Sequence, residues 1–150
     1  MILLDTTVLA YAVGADHALR DPCRQVLAAH AEGRVTATTT IEVLQEFLHV
    51  RARRRPRSDA VALTAAYVDA LSPIETTTDD LRRALGMFDE WPALGAFDAV
   101  LAAVAIGRGA TLLSADGAFA GVPGLSWVDP AGAALERLLG NPSDEEPASG

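Results

Sequence analysis

The chain has 150 residues, half of them hydrophobic, and 20 acids against 12 arginines give it a formal net charge of −8. That size and apolar content suit one domain with a single core, and no apolar run approaches the roughly 20 residues that a membrane-crossing helix needs. The lone Cys23 excludes an intrachain disulfide, and with no basic leader segment the expected compartment is the cytoplasm.

Residues 1–4 read as a short, continuously apolar strand that ends on Asp5. Thr6 or Thr7 caps a short helix through Ala12. Asp21-Pro22 resembles an N-cap with a first-turn proline, and that helix runs to Gly33. Residues 34–38 fit a second strand. A helix then begins at Thr39, carries Val43, Leu44, Phe47 and Leu48, and reaches about Arg53, with Pro56 blocking its continuation. Ser58 is placed as the cap of the next helix, and residues 74–76 as a weak strand. Thr78 caps a helix over 79–90, whose acidic first turn suits the helix dipole. Gly95 leads into a helix over 97–108, stopped by Gly109. Residues 111–114 and 125–128 read as strands, and 130–139 as a closing helix. Strands alternating with helices imply an α/β fold with a central, mostly parallel sheet between helical layers. The domain is expected to span residues 1–139, with 140–150 an acidic, Pro- and Ser-rich disordered tail.

Four acids stand in apolar surroundings: Asp5, Glu46, Asp98 and Asp116. Such placements are costly without a compensating positive charge. In an open parallel sheet, ligands bind beyond the C-terminal strand ends, where Asp5 and Asp116 both fall. Glu46 and Asp98 lie on helices that can pack beside that edge. Two carboxylates about 5 Å apart repel by about 3 kcal/mol at an effective dielectric near 20, so a cluster calls for a divalent cation. Mg²⁺ or Mn²⁺ favours oxygen ligands and activates water for phosphodiester hydrolysis. Glu42 competes with Glu46, one turn away on the same face. Thr39 and Glu42 have capping-box spacing, which gives Glu42 a structural task and leaves the metal role to Glu46.

At these residues the chain resembles a PIN-domain ribonuclease, specifically the VapC-type toxin of type II toxin–antitoxin systems. The resemblance rests on Leu3-Leu4-Asp5-Thr6-Thr7-Val8-Leu9, Val43-Leu44-Gln45-Glu46-Phe47, Phe97-Asp98-Ala99-Val100-Leu101 and Thr111-Leu112-Leu113-Ser114-Ala115-Asp116, in that order. It implies a three-layer α/β/α fold, an acidic catalytic and metal site at Asp5, Glu46, Asp98 and Asp116, and polar support from Thr7 and Ser114. It further implies RNA cleavage with Mg²⁺ or Mn²⁺ that leaves a 5′-phosphate and a 3′-hydroxyl, a homodimer, and silencing by a cognate antitoxin. Gly117-Ala118 departs from the basic or polar residue that often follows the fourth acid. The alternative is a catalytically silent PIN-like interaction module. A haloacid-dehalogenase-like phosphatase is excluded because Thr7 stands where its second aspartate belongs, and no Gly-rich phosphate loop follows the first strand.

Net acidity does not exclude an RNA partner. Setting aside the four site acids and the three in the tail leaves 13 acids against 12 arginines, and a bound cation offsets the pocket charge. Arg51, Arg53, Arg54, Arg55 and Arg57 form the dense basic patch, suited to phosphate. The expectation is RNA contact at Arg51, Arg53, Arg54 and Arg55, weighed evenly against a solvated helix end. His17, His30 and His49 lack ligand spacing and are assigned to surface or packing, Trp91 and Trp127 to core or interface. The apolar helices over 60–71 and 99–106 suggest surplus surface for partners.

Overall fold

The computed structural model describes residues 1–140, so the expected tail over 140–150 lies, apart from Gly140, outside the described residues. Its sheet contains β1 (Ile2–Leu4), β2 (Ala37–Thr38), β3 (Thr111–Leu113) and β4 (Ser126–Val128), in the order β2-β1-β3-β4. Every pairing is parallel. The helices are α1 (Thr6–Ala12), α2 (Arg20–Ala31), α3 (Ile41–Ala52), α4 (Arg57–Leu71), α5 (Thr78–Glu90), α6 (Ala96–Arg108) and α7 (Ala134–Leu138). Helices flank the sheet as the alternating pattern predicts. No helix among the described residues is long and apolar enough to cross a membrane.

The strand order places the site. From β1 the chain moves to β2 on one side, whereas β3 pairs on the other. Connections therefore diverge at the β1/β3 boundary, which opens a crevice beyond those two strand ends. Leu4 pairs with Leu113, so Asp5 and Ser114 emerge side by side.

Helix α6 is the central helix of the core. Ala99 and the run from Leu101 through Ala105 are buried, because a helix apolar on all faces must be covered on all faces. This corrects the expectation of spare surface over 99–106. Helix α5 packs against α6 with a small residue, Ala84, and a buried acid, Asp80. Asp80 closes a capping box with Thr77 and accepts from Arg108 Nη1 and Nη2, each at 3.3 Å. Gly107 lets the helices approach: a Cβ there would stand 2.7 Å from Arg83 Nη1 and 3.0 Å from Asp80 Oδ1. Gly109 ends α6 at φ 58°, a left-handed conformation that glycine adopts without steric cost.

Several boundaries differ from expectation by a residue or two. Thr40, not Thr39, caps α3, accepting from the Val43 amide at 3.3 Å. Thr39 is instead fully buried and donates to the Leu4 carbonyl at 2.8 Å, tying α3 to β1. Thr77 rather than Thr78 caps α5. Pro56 occupies the cap position of α4, so Ser58 lies inside its first turn. Residues 74–76 contribute only a bridge from Ile74 to Thr40, and the closing helix shortens to α7. Cys23 is buried, and burial followed by the nearby Asp129 charge pushes its thiol up to about 12. That is an inert structural thiol.

Candidate active site

Asp5 is the anchor. It is only 6 % exposed, and a carboxylate so placed must have its lone pairs met. Its Oδ1 accepts from the Thr6 amide at 2.7 Å, which caps α1. Its Oδ2 accepts from Ser114 Oγ at 2.6 Å and Thr7 Oγ1 at 2.8 Å. Ser114 Oγ in turn accepts from the Asp116 amide at 3.0 Å, and Thr7 Oγ1 from the Ala115 amide at 3.1 Å. Trp127 Nε1 holds the Ser114 carbonyl at 3.0 Å. Asp5, Thr7, Ser114 and the start of the Asp116 turn therefore form one network across the β1/β3 crevice.

The other three acids reach the crevice from separate elements. Glu46, on α3, accepts from Thr6 Oγ1 through Oε2. Asp98, in the first turn of α6, accepts from the Gly95 amide at 3.2 Å through Oδ2. Asp116 caps the short turn Gly117–Phe119, its Oδ1 accepting from the Ala118 amide at 2.8 Å. Each thus has a local capping or tethering bond on one oxygen. The second oxygen of Glu46, Asp98 and Asp116 takes no hydrogen bond from the described residues. Glu46 and Asp116 are exposed at the rim, which corrects the placement of Glu46 on the buried face.

All four acids line a single cleft of about 480 Å³. Burial pushes the Asp98 carboxyl above its ordinary value; the Gly95 amide opposes this, and the charges of Asp116, Asp5 and Glu46 add to it. The four share one electrostatic environment. Among the described residues no three His, Cys, Asp or Glu side chains converge to coordination distance in this conformation. Three of the four acids nevertheless keep an oxygen free of hydrogen bonds from the described residues. An all-carboxylate donor set of this kind fits a hard divalent cation.

A second cleft of about 360 Å³ meets the first at Asp5, Glu46 and Asp98. It is more apolar, with Leu81, Phe97, Val100 and Leu101 in its walls. Glu42 lines it too, and Glu42 Oε2 is buried without a hydrogen-bond partner among the described residues. The cap falls one residue later than the spacing of Thr39 and Glu42 suggests. Glu42 consequently lacks the structural bond expected for it and becomes a fifth carboxylate beside the site.

The arginine patch divides. Arg51 forks onto Asp59, with Nε to Oδ2 at 2.6 Å and Nη2 to Oδ1 at 3.3 Å, and also donates to the Val13 carbonyl at 3.2 Å. It braces α3 against α4 and the end of α1, with three of its five N–H donors engaged. Arg53, Arg54 and Arg55 are exposed, and Arg54 alone of these lines the acid-bearing cleft. Arg51→Ala is expected to lower the melting temperature while leaving the salt dependence of RNA binding unchanged, which paired thermal and binding measurements check. Two cleft residues, Tyr11 and His17, carry no signal in the sequence. Their rings stack at 4.6 Å between centroids and line the same cleft, a contact that no spacing rule encodes because a loop makes it.

The fold and the acid cluster define a class: the chain belongs to the PIN-domain family, whose profile matches residues 2–125. Ribonuclease VapC7 of Mycobacterium tuberculosis is 54% identical over 147 residues, covering 94% of this chain and 99% of that protein. Ribonuclease VapC23 of the same species is 34% identical over 113 residues, covering 74% of this chain and 88% of its own. Among solved structures, VapBC2 from Rickettsia felis bound to a promoter DNA fragment superposes with a TM-score of 0.71 at 20% identity, over 86% of this chain and 98% of that one. The sarcin-ricin loop cleaving toxin VapC20 of M. tuberculosis gives 0.67 at 20% identity, over 83% and 98%.

Proposed function

We propose that this chain is a metal-dependent endoribonuclease of the VapC type, acting in the cytosol as the toxin of a toxin–antitoxin pair. The observation that carries the reading is the convergence of Asp5, Glu46, Asp98 and Asp116 on one cleft at the topological switch point. The close likeness to a protein named as a ribonuclease supports the substrate class. Asp5, Glu46, Asp98 and Asp116 would hold Mg²⁺ or Mn²⁺. Such a cation, when bound, lowers the pKa of water and offsets charge developing on the phosphate.

The protein's own groups have distinct tasks. Thr7 and Ser114 fix the orientation of Asp5 through the hydroxyl hydrogen bonds they donate to its Oδ2. Thr6 steers Glu46 toward Asp5. Asp98 and Asp116 each keep one oxygen without a hydrogen bond from the described residues. Ser114→Ala removes a fully buried hydroxyl that serves two partners, and a loss of about 1–3 kcal/mol in stability is expected by denaturant titration. Purified protein should cut RNA with Mg²⁺ or Mn²⁺ and stop on chelation, leaving 5′-phosphate ends. No cleavage with either ion would contradict the reading.

Partners follow from apolar surface. Helix α5 turns Leu81, Leu85 and Phe88 outward, 47%, 62% and 50% exposed, at positions that share one helix face. We assign this stripe to a homodimer contact, and Leu85→Asp is expected to give a monomer by light scattering. Phe97, 75% exposed at the mouth of the apolar cleft, suits an antitoxin helix whose basic side chain reaches the acids. Solved neighbours that are themselves toxin–antitoxin complexes support such a partner.

A further inference from the structure

The acid-bearing cleft is larger than the acids need. At about 480 Å³ it falls within the range of small-molecule and nucleotide sites. The cleft is also lined by Ala10, Gly14 and Ala15, residues with little or no side chain, and Tyr11, His17 and Arg54 complete its wall. That wall is assembled, not incidental. Tyr11 is half-buried against the core. His17 lies over it with 27° between ring planes, held by the Leu19 amide, which donates to Nδ1 at 3.1 Å. That bond leaves the neutral ring's proton on Nε2 and fixes the ring's tilt. Arg54 is exposed and has no ion-pair or side-chain hydrogen-bond partner among the described residues. The acid at this end, Asp16, already pairs with Arg20 at 3.3 Å.

From this geometry we infer that the cleft is a nucleotide subsite, in which the base beside the scissile phosphate stacks on His17 and its phosphate meets Arg54. The inference rests on the ribonuclease reading and adds where the flanking nucleotide lies. An exposed ring backed by a second ring is a stacking platform, and stacking accepts any base because every base has a π-face. A guanidinium with free donors suits the phosphate, and Arg54 lines the same cleft as the carboxylates. The subsite therefore supplies affinity and register without reading base edges. Glu42 and Phe97 line the adjoining apolar cleft, which shares Asp5, Glu46 and Asp98 with this one, so the RNA path has a stacking wall and an apolar wall.

The test compares the parent with His17→Ala, His17→Phe and Arg54→Ala, using a labelled single-stranded RNA of mixed sequence with Mn²⁺, binding scored by anisotropy and cleavage on gels from the same samples. His17 and Arg54 are exposed, so the variants should fold, which their melting curves verify. His17→Ala is expected to weaken binding and raise KM about tenfold with kcat little changed, and His17→Phe to restore both. Arg54→Ala should weaken binding about tenfold and lower the salt slope by about one. A parent that binds and cuts while all three variants match it overturns the subsite and leaves the nuclease reading standing. Variants that lose only association with a second protein overturn the subsite equally. A parent that neither binds nor cuts RNA removes both.

Discussion

Asp5→Asn is expected to reduce RNA cleavage by about three orders of magnitude or more, equivalent to about 4 kcal/mol of transition-state stabilisation. Asp5 is the only one of the four acids that is buried, and its two oxygens together accept three hydrogen bonds. Asparagine keeps the shape, and its carbonyl can still cap α1. The Thr7 and Ser114 hydroxyls can rotate to accept from its amide nitrogen. What disappears is the charge that, in the proposed function, would hold a cation. The variant should therefore fold with a melting temperature close to the parent's, so that lost activity reads as lost chemistry. Cleavage equal to the parent's would assign the activity elsewhere.

Adding Mn²⁺ should raise the parent's melting temperature, and Asp98→Asn should raise that of the metal-free protein while blunting the metal response. Ligand at a hundredfold excess over its Kd stabilises by about 2.7 kcal/mol, about 5–10 °C for a domain of this size. For Asp98 the direction follows from proton linkage. Its folded-state carboxyl titrates above the ordinary value, chiefly through burial and then through Asp116, Asp5 and Glu46. Between the ordinary value and the raised one, the folded state holds more protons than the unfolded. Stability therefore falls as pH rises through that window, and the whole penalty is present above the raised value. Asparagine removes the charge and retains an oxygen for the Gly95 amide. A variant no more stable than the parent without metal at neutral pH would contradict this, as would an undiminished Mn²⁺ response.

The strands and the four acids were legible because each has a local signature. A short apolar run ending on an acid marks a buried parallel strand delivering a carboxylate to the sheet edge, and Asp5 and Asp116 both conform. The family pattern supplied Thr7 and Ser114, and the network between them gives physical grounds for both. Helix caps were readable only to within a residue. Thr39 and Thr40 are chemically alike, and the choice between them depends on Thr39 reaching the Leu4 carbonyl across the sheet. That one-residue difference hid Glu42. Arg51 looked like its neighbours in the patch because its partners, Asp59 and the Val13 carbonyl, come from other elements. The same limit applies to α6 and α5. An apolar helix can be core or interface, and α6 is core, whereas α5 turns Leu81, Leu85 and Phe88 outward and buries Asp80.

The most direct test is anomalous diffraction from crystals grown with Mn²⁺. A manganese peak in the crevice is predicted, with oxygens of Asp5 and at least two of Glu46, Asp98 and Asp116 rotated to about 2.1 Å from it. An empty crevice at saturating Mn²⁺, from protein that still cuts RNA, would mean that these side chains surround the opening without ever sharing an ion.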